Sequence, residues 1–219
     1  MNVGAIMYAD DLILISASVV DLQAMLSTCD TVEGELGLNF SPTKSKCLLI
    51  GPHLNVQPSD LLLGHLQLPW VKELPYLGIT LISAKSFLVD LSCIRRKFFA
   101  SVNSILSKCS STSDMVKLKL LESHCLPILL YASESLNLPK FQLTELNVWG
   151  NSIYRKKFNY NKWESVRSLI FMLGRIDLIH IVNVRSLMFI KRMFECEMNI
   201  VNFTFQHYIH NVIHNFERM

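Results

Sequence analysis

The stretch that decides the fold is Ile6–Ile15, which reads IMYADDLILI. Two adjacent acids, Asp10 and Asp11, lie between apolar runs that are each long enough for a β-strand. Strands over Val3–Tyr8 and Leu12–Ser16 predict a β-hairpin with the acids at or beside its turn. The apolar flanks further predict that the pair lies inside a core sheet.

Two neighbouring carboxylates in a core need a compensating charge. They repel each other and lose hydration, at a cost on the order of several kcal/mol without a cation or donors. Mg²⁺ is commonly held by one or two carboxylates together with substrate phosphates. Asp10 is therefore predicted as a direct ligand, with Asp11 beside it to tune the site. The alternative is a solvated polar turn, in which aspartate is common.

The tetrapeptide Tyr8-Ala9-Asp10-Asp11 resembles the Tyr-x-Asp-Asp hallmark of reverse transcriptases. The segments YADDLILIS and LQAMLSTCDTVEGELGLNFSPTKSKCLLIG resemble the palm hairpin and the helix, loop and strand that follow it in non-LTR (LINE-type) retrotransposons. LPYLGITL is similar to the strand pair that grips the primer end, and FFASVNSILSKCSS to a thumb helix. The resemblance covers residues 3–140 well and is weaker from 140 to 219.

The resemblance implies an RNA-directed DNA polymerase, a nucleotidyltransferase that uses two Mg²⁺ ions, an RNA template and a DNA primer. In that family the primer 3′-hydroxyl attacks an incoming deoxynucleotide and pyrophosphate leaves. Asp10 and Asp11 match the metal-binding acids. Lys44 is expected to neutralise or protonate the pyrophosphate, with Lys46 as its alternative. An exposed strand edge would explain both lysines equally well.

The resemblance also implies contacts with nucleic acid. Tyr8 and Ala9 would lie near the primer terminus, and Tyr76, Leu77 and Gly78 would support the primer backbone. Arg95, Arg96 and Lys97 would contact phosphates of an RNA–DNA hybrid. A plain core hairpin explains Tyr76 and Leu77 as well, and a solvated helix face explains single basic clusters such as Arg155–Lys157.

The chain departs from the family pattern at its beginning. A polymerase site needs a further Asp from an earlier palm strand, whereas seven residues precede Tyr8 here. The fingers would also precede the hairpin. The chain is therefore expected to be a fragment that needs its missing N-terminal half for catalysis and is inactive alone. The alternative is a non-catalytic nucleic-acid or protein-interaction module derived from a retroelement.

The pattern along the chain predicts an α+β fold. A partial palm-like antiparallel sheet with one packed helix is expected over residues 1–82, thumb-like helices over 83–138 and a C-terminal helical extension over 139–219. Ser18 or Asp21 would cap the first helix, and Gly37 would end it. An apolar stripe predicts a second helix from Phe87 to beyond Ile105. Further helices are predicted at about 113–135, kinked by Pro127, and near 141–157, 163–173, 177–197 and 203–217.

Composition limits the class of protein. The 219 residues are 50% hydrophobic and 18% charged, with a net charge of +3, which alone says little about nucleic acid. No apolar run predicts a membrane span or a signal peptide. The six scattered cysteines predict reduced thiols in a nuclear or cytoplasmic protein that is not secreted.

Two minor patterns remain. The tryptophans Trp70, Trp149 and Trp163 are expected in the core or at helix junctions. His207, His210 and His214 lie at helical spacing and would suit a transition metal, although an amphipathic terminal helix with polar histidines explains them more simply.

Overall fold

A computed structural model describes residues 4–37, 39–56, 58–136, 138–198 and 201. The chain divides into two compact units, one up to Asp90 and one from Leu91 onward. Among the described residues, the first unit holds nine short strands and one helix, and the second unit holds five helices. The class is therefore mixed α and β, as the sequence predicts. Within the same residues, no helix is long and apolar enough to cross a bilayer.

The first unit is built largely from strands. They are β1 (Ala5–Tyr8), β2 (Asp11–Leu14), β3 (Cys47–Leu48), β4 (Leu61–Leu63), β5 (Leu66–Leu68), β6 (Trp70–Val71), β7 (Glu73–Tyr76), β8 (Ile79–Ile82) and β9 (Leu88–Asp90). The helices are α1 (Val19–Leu36), α2 (Ser92–Lys108), α3 (Asp114–Leu129), α4 (Lys140–Lys157), α5 (Arg167–Met172) and α6 (Leu178–Phe194).

The strands form small separate sheets. Antiparallel ladders join β1 to β2, β4 to β5, and β7 through β8 to β9. Strands β3 and β6 pair in parallel, with Cys47 opposite Trp70. Because a parallel pair joins segments that are distant along the chain, the local sequence pattern does not reveal it.

Helix α1 is fixed at both ends and along one side. The Ser18 side chain accepts a hydrogen bond from the backbone N–H of Asp21, and Gly37 ends the helix with a φ of +64°. The predicted cap and stop are thus confirmed. The Gln23 side chain forms two hydrogen bonds with the backbone of Leu62. Its Nε2 donates to the Leu62 carbonyl at 3.0 Å, and its Oε1 accepts from the Leu62 N–H at 2.8 Å. The Asp30 carboxylate accepts from the N–H of Gly64. These bonds hold α1 against β4.

The core of the first unit lies between α1 and the short strands. Its buried members are Leu26, Cys47, Leu61, Leu63 and Leu68, and Leu14, Val19, Leu22, Cys29, Phe40 and Trp70 pack around them. The hairpin β1–β2 reaches this core through Leu14. Burial raises the pKa of the Cys47 thiol, so the thiol stays protonated at neutral pH.

The second unit is a helical assembly with its own core. Phe98 and Val102 of α2 and Leu118 and Leu121 of α3 are all fully buried. Gly150 of α4 permits a close approach, because a Cβ there would lie 3.2 Å from Leu178 Cδ1 of α6.

A partly buried polar network joins the helices. The Glu122 carboxylate of α3 accepts from the Tyr154 hydroxyl of α4 at 3.0 Å and from Arg175 Nε at 3.0 and 3.1 Å. Burial, together with the charge and hydrogen bond of Glu122, raises the pKa of Tyr154. Arg185 of α6 donates to Glu134 at 3.0 Å. Partial burial alone would raise the pKa of Glu134, but this hydrogen bond and ion pair lower it below its ordinary value.

Several predicted boundaries were wrong. The helix predicted from Phe87 begins at Ser92, because Leu88–Asp90 pair with β8 as a strand. The compact first unit extends to Asp90. The helix predicted to about residue 135 ends at Leu129, soon after Pro127, and the helix predicted at 163–173 begins only at Arg167. The helix predicted at 203–217, and the three histidines on it, lie outside the described residues.

Candidate functional site

The acidic pair lies at the tip of the β1–β2 hairpin. Tyr8 of β1 pairs directly with Asp11 of β2, so Ala9 and Asp10 form a two-residue turn. Ala9 adopts a φ of +54°, in the left-handed region that favours glycine. The predicted hairpin and the position of the acids are confirmed.

The environment of the hairpin differs from the prediction. All four residues of β1 are exposed, with Met7 and Tyr8 at 69% and 62%, and both acids are exposed as well. The prediction of a buried core sheet was wrong. Apolar residues occupy both faces of the hairpin, and Leu14 packs on the core described above. Strand periodicity alone does not show whether a second layer covers the other face.

Exposure changes what the acids do chemically. Both carboxylates stay hydrated, so burial does not force a cation upon them. Among the described residues, no group of three or more acidic, histidine or cysteine side chains is arranged to hold a metal ion. Two adjacent carboxylates fit a Mg²⁺ ion whose remaining ligands are water and substrate phosphates. They do not fit a metal held by protein ligands alone.

Lys44 lies in a turn ahead of β3. Its backbone N–H and that of Ser45 both bond to the carbonyl of Ser41, at 3.1 and 3.0 Å. The side chains of Lys44 and Lys46 are exposed. Within the described part of the chain, neither lysine forms an ion pair with Asp10 or Asp11. The structure therefore leaves the choice between the two lysines open.

The segment Tyr76-Leu77-Gly78 forms a second tight hairpin. Tyr76 of β7 pairs with Ile79 of β8, and Leu77 and Gly78 make the turn with φ values of +44° and +81°. Positive φ at both central residues is typical of a type I′ turn, for which Asn-Gly is the preferred sequence. Leucine at the first position is strained.

Replacing Leu77 with asparagine is expected to raise the free energy of unfolding by about 1 kcal/mol, because asparagine tolerates the left-handed region. Leu77 is 39% exposed, so the lost burial offsets only part of the strain that is relieved. Urea titration followed by circular dichroism measures the change. The same substitution at the exposed Leu66 of β5, where the backbone is extended, is the matched control and should not stabilise. A Leu77→Asn variant no more stable than the parent would contradict the strained turn.

The basic residues of α2 differ in their surroundings. Arg95, Arg96 and Lys97 are all exposed near the start of the helix. The Arg95 guanidinium lies 5.8 Å from the centre of the Trp149 ring, a cation–π contact. Arg96 and Lys97 form no ion pair with any residue that the structure describes. Among the three predicted phosphate contacts, Arg95 thus has a structural role of its own.

All three residues of the cluster Arg155–Lys157 contact other residues of the second unit. Arg155 Nε donates to the carbonyl of Glu164 at 3.0 Å. Lys156 donates to Asn103 Oδ1 at 2.9 Å and lies 5.3 Å from the Phe99 ring. Lys157 pairs with Asp114, and this hydrogen bond lowers the pKa of the Asp114 carboxyl. The spacing of the basic residues does not reveal these contacts, because the partners come from other helices and from the loop that follows α4.

Trp163 is the clearest departure from the expected core positions. Trp149 is buried, whereas the Trp163 side chain is 87% exposed. Trp163 lies between α4 and α5, at a helix junction, which is one of the two expected positions, and its side chain is outside the core.

Compared with protein-family models, curated proteins and solved structures, the chain shows no significant match.

Proposed function

We propose that this chain carries the metal-binding hairpin and thumb-like helices of an RNA-directed DNA polymerase of the non-LTR (LINE-type) class. The observation that carries the proposal is the Tyr8–Asp11 closing pair, which holds two adjacent acids at the end of a tight hairpin between apolar strands. The capped helix α1 that follows, and the second hairpin at Leu77-Gly78, support the same assignment.

Asp10 and Asp11 would hold Mg²⁺ together with the phosphates of the incoming nucleotide. When bound, Mg²⁺ supplies charge neutralisation at the transferred phosphoryl group and its leaving oxygen. The exposure of the hairpin tip leaves room for a nucleotide and a primer end beside the acids. Lys44 would place a positive charge against the leaving pyrophosphate, and Tyr8 and Ala9 would border the primer terminus.

The proposed site needs one more acid. In the family this acid comes from a strand that precedes the hairpin. On this proposal a palm-and-fingers segment supplies this acid and covers the exposed strand β1.

Co-expression with the N-terminal palm and fingers of a LINE-type reverse transcriptase tests the proposal. The measurement is extension of a DNA primer on an RNA template with deoxynucleotides and Mg²⁺. Extension by the mixture, and by neither part alone, is the expected result. If a stable complex forms and does not extend the primer, the polymerase assignment is wrong.

A second candidate function is a non-catalytic nucleic-acid module. The observation that favours it is the pair of exposed cations, Arg96 and Lys97, without ion-pair partners among the described residues. Double replacement by glutamine is expected to weaken binding of an RNA–DNA hybrid and to reduce the slope of log K against log salt by up to about 2. Filter binding at several salt concentrations measures this slope. Replacing Lys119 and Lys140 is the charge-matched control, and equal losses in both variants would contradict a specific surface.

A further inference from the structure

The most exposed large apolar side chain in the described part of the chain is Trp163, at 87%. It lies in the segment between α4 and α5. An indole in this position contributes little to the core, since burial is what makes tryptophan stabilising. Its exposure therefore calls for a role outside the packing of the unit.

The loop that carries Trp163 is fixed by hydrogen bonds. The Glu164 carboxylate accepts from the backbone N–H of Asn161 at 2.7 Å and from its side-chain amide at 2.8 Å. The N–H of Glu164 bonds back to the carbonyl of Asn161 at 3.1 Å. Arg155 Nε of α4 donates a hydrogen bond to the carbonyl of Glu164. Val166, at the end of the loop, is buried. The indole is therefore held outward by a well-bonded loop.

The charge around the loop is strongly positive. Between Glu145 and Asp177 the sequence contains one acid, Glu164, whose carboxylate bonds to neutral N–H groups of Asn161 and so keeps its charge. The same interval contains six basic residues, namely Arg155, Lys156, Lys157, Lys162, Arg167 and Arg175. Lys157 and Arg175 are paired with acids.

One of the remaining cations, Lys162, lies next to the indole, and a second, Arg155, is bonded to the backbone of the residue that follows Trp163. The Lys162 ammonium is 4.9 Å from the centre of the Trp163 ring. Arg155 donates to the neutral carbonyl of Glu164 and forms no ion pair with any residue that the structure describes. An exposed aromatic face beside an excess of cations matches the chemistry of a nucleotide, which offers a π-face and an adjacent phosphate.

We propose that Trp163 is a stacking platform for one base of a single-stranded nucleic acid, with Lys162 and Arg155 placed against the flanking phosphates. Every base has a π-face, so such a site accepts single strands with little sequence preference. A duplex keeps its bases stacked inside and cannot use the platform. The proposal goes beyond the proposed polymerase function and depends on neither the acidic hairpin nor α2.

Tryptophan fluorescence tests the proposal directly. Trp149 is buried and Trp70 is half-buried, so Trp163 supplies the most solvent-exposed emission. Titration of the whole chain with an oligothymidylate of about twelve nucleotides, within the usual range of single-strand site sizes, is expected to quench this emission to saturation. The dissociation constant should rise with salt, because phosphate contacts release counterions.

The variants separate stacking from charge. Trp163→Leu should remove the quenching and weaken binding, measured by fluorescence anisotropy of a labelled oligomer, by about five- to a hundredfold. Trp163→Phe keeps a smaller aromatic face, so its affinity for the oligomer should lie between those of the parent chain and Trp163→Leu. Lys162→Gln should weaken binding and lower the salt slope by about 1. Phe171→Leu, at another exposed aromatic residue of this unit, is the matched control and should leave affinity unchanged.

Three outcomes would overturn the proposal. Inorganic polyphosphate that quenches Trp163 as strongly as the oligomer would show that charge acts without stacking. An oligomer affinity that is unchanged in Trp163→Leu would remove the platform. Concentration-dependent self-association that disappears in Trp163→Leu, without oligomer binding by the parent chain, would assign the indole to an interface between two copies. Failure of primer extension in the mixed polymerase leaves each of these readouts intact, so the two proposals fail separately.

Discussion

Replacing Asp10 with asparagine is expected to lower Mg²⁺-dependent primer extension by at least about a thousandfold in the polymerase assembled with a palm-and-fingers segment. Asparagine has the size of aspartate but carries no charge. A divalent ion contributes several kcal/mol to stabilisation of transition-state charge, and every 1.36 kcal/mol is a factor of ten in rate. Asp10 lies in the turn itself and is exposed, so the substitution should leave the fold intact.

Asp60→Asn is the matched control for this variant, because Asp60 is an exposed aspartate of the same unit. It should extend the primer at the parental rate. Asp10→Asn should still bind the RNA–DNA hybrid without Mg²⁺. This result would show that the variant loses the chemical step and keeps substrate binding. If Asp10→Asn extends as fast as the parent, the acid at the hairpin tip is not a metal ligand of the reaction.

Replacing Phe98 with alanine is expected to lower the free energy of unfolding of the helical unit by about 3–5 kcal/mol. Phe98 is the largest of the fully buried side chains and meets the Phe99 ring edge-to-face with centroids 5.0 Å apart. The substitution removes apolar burial, this aromatic contact, and the filling of the space beside α3. The loss is a large part of the roughly 5–15 kcal/mol that stabilises a typical domain.

Urea titration with far-ultraviolet circular dichroism measures this change, since the second unit contains most of the helix. Phe98→Leu, which keeps most of the volume, should cost clearly less than Phe98→Ala. Phe171→Ala changes the same residue type at an exposed position and should cost little. A loss below about 1 kcal/mol for Phe98→Ala would contradict a close-packed core between α2 and α3.

Local signals along the chain were sufficient to predict several elements. The β1–β2 hairpin follows from two apolar runs around an acidic turn, and its closing pair agrees with that expectation. Helix α1 begins after Ser18 and ends at Gly37, because a side-chain cap and a left-handed glycine act within a few residues. Helices α4 and α6 also lie close to their predicted positions, at Lys140–Lys157 and Leu178–Phe194.

Other features depend on partners that are distant in sequence. Strand β9 forms because Leu88–Asp90 pair with β8, although the apolar spacing there suits a helix. The parallel pairing of β3 with β6 and the hydrogen bonding of Gln23 to Leu62 are likewise non-local. The Glu122 carboxylate accepts hydrogen bonds from Tyr154 and Arg175, each of which lies more than thirty residues further along the chain.

By itself, the sequence determined where the two acids lie, that a hairpin presents them, and where the main helices run, because turn chemistry and amphipathic spacing are local properties. Only the tertiary structure decided which surfaces are covered. The acids and β1 are exposed instead of buried, and Trp163 is held outward while Trp149 is buried beside Arg95. Burial depends on what packs against a residue from elsewhere in the chain, and a residue's own neighbours in sequence do not specify that partner.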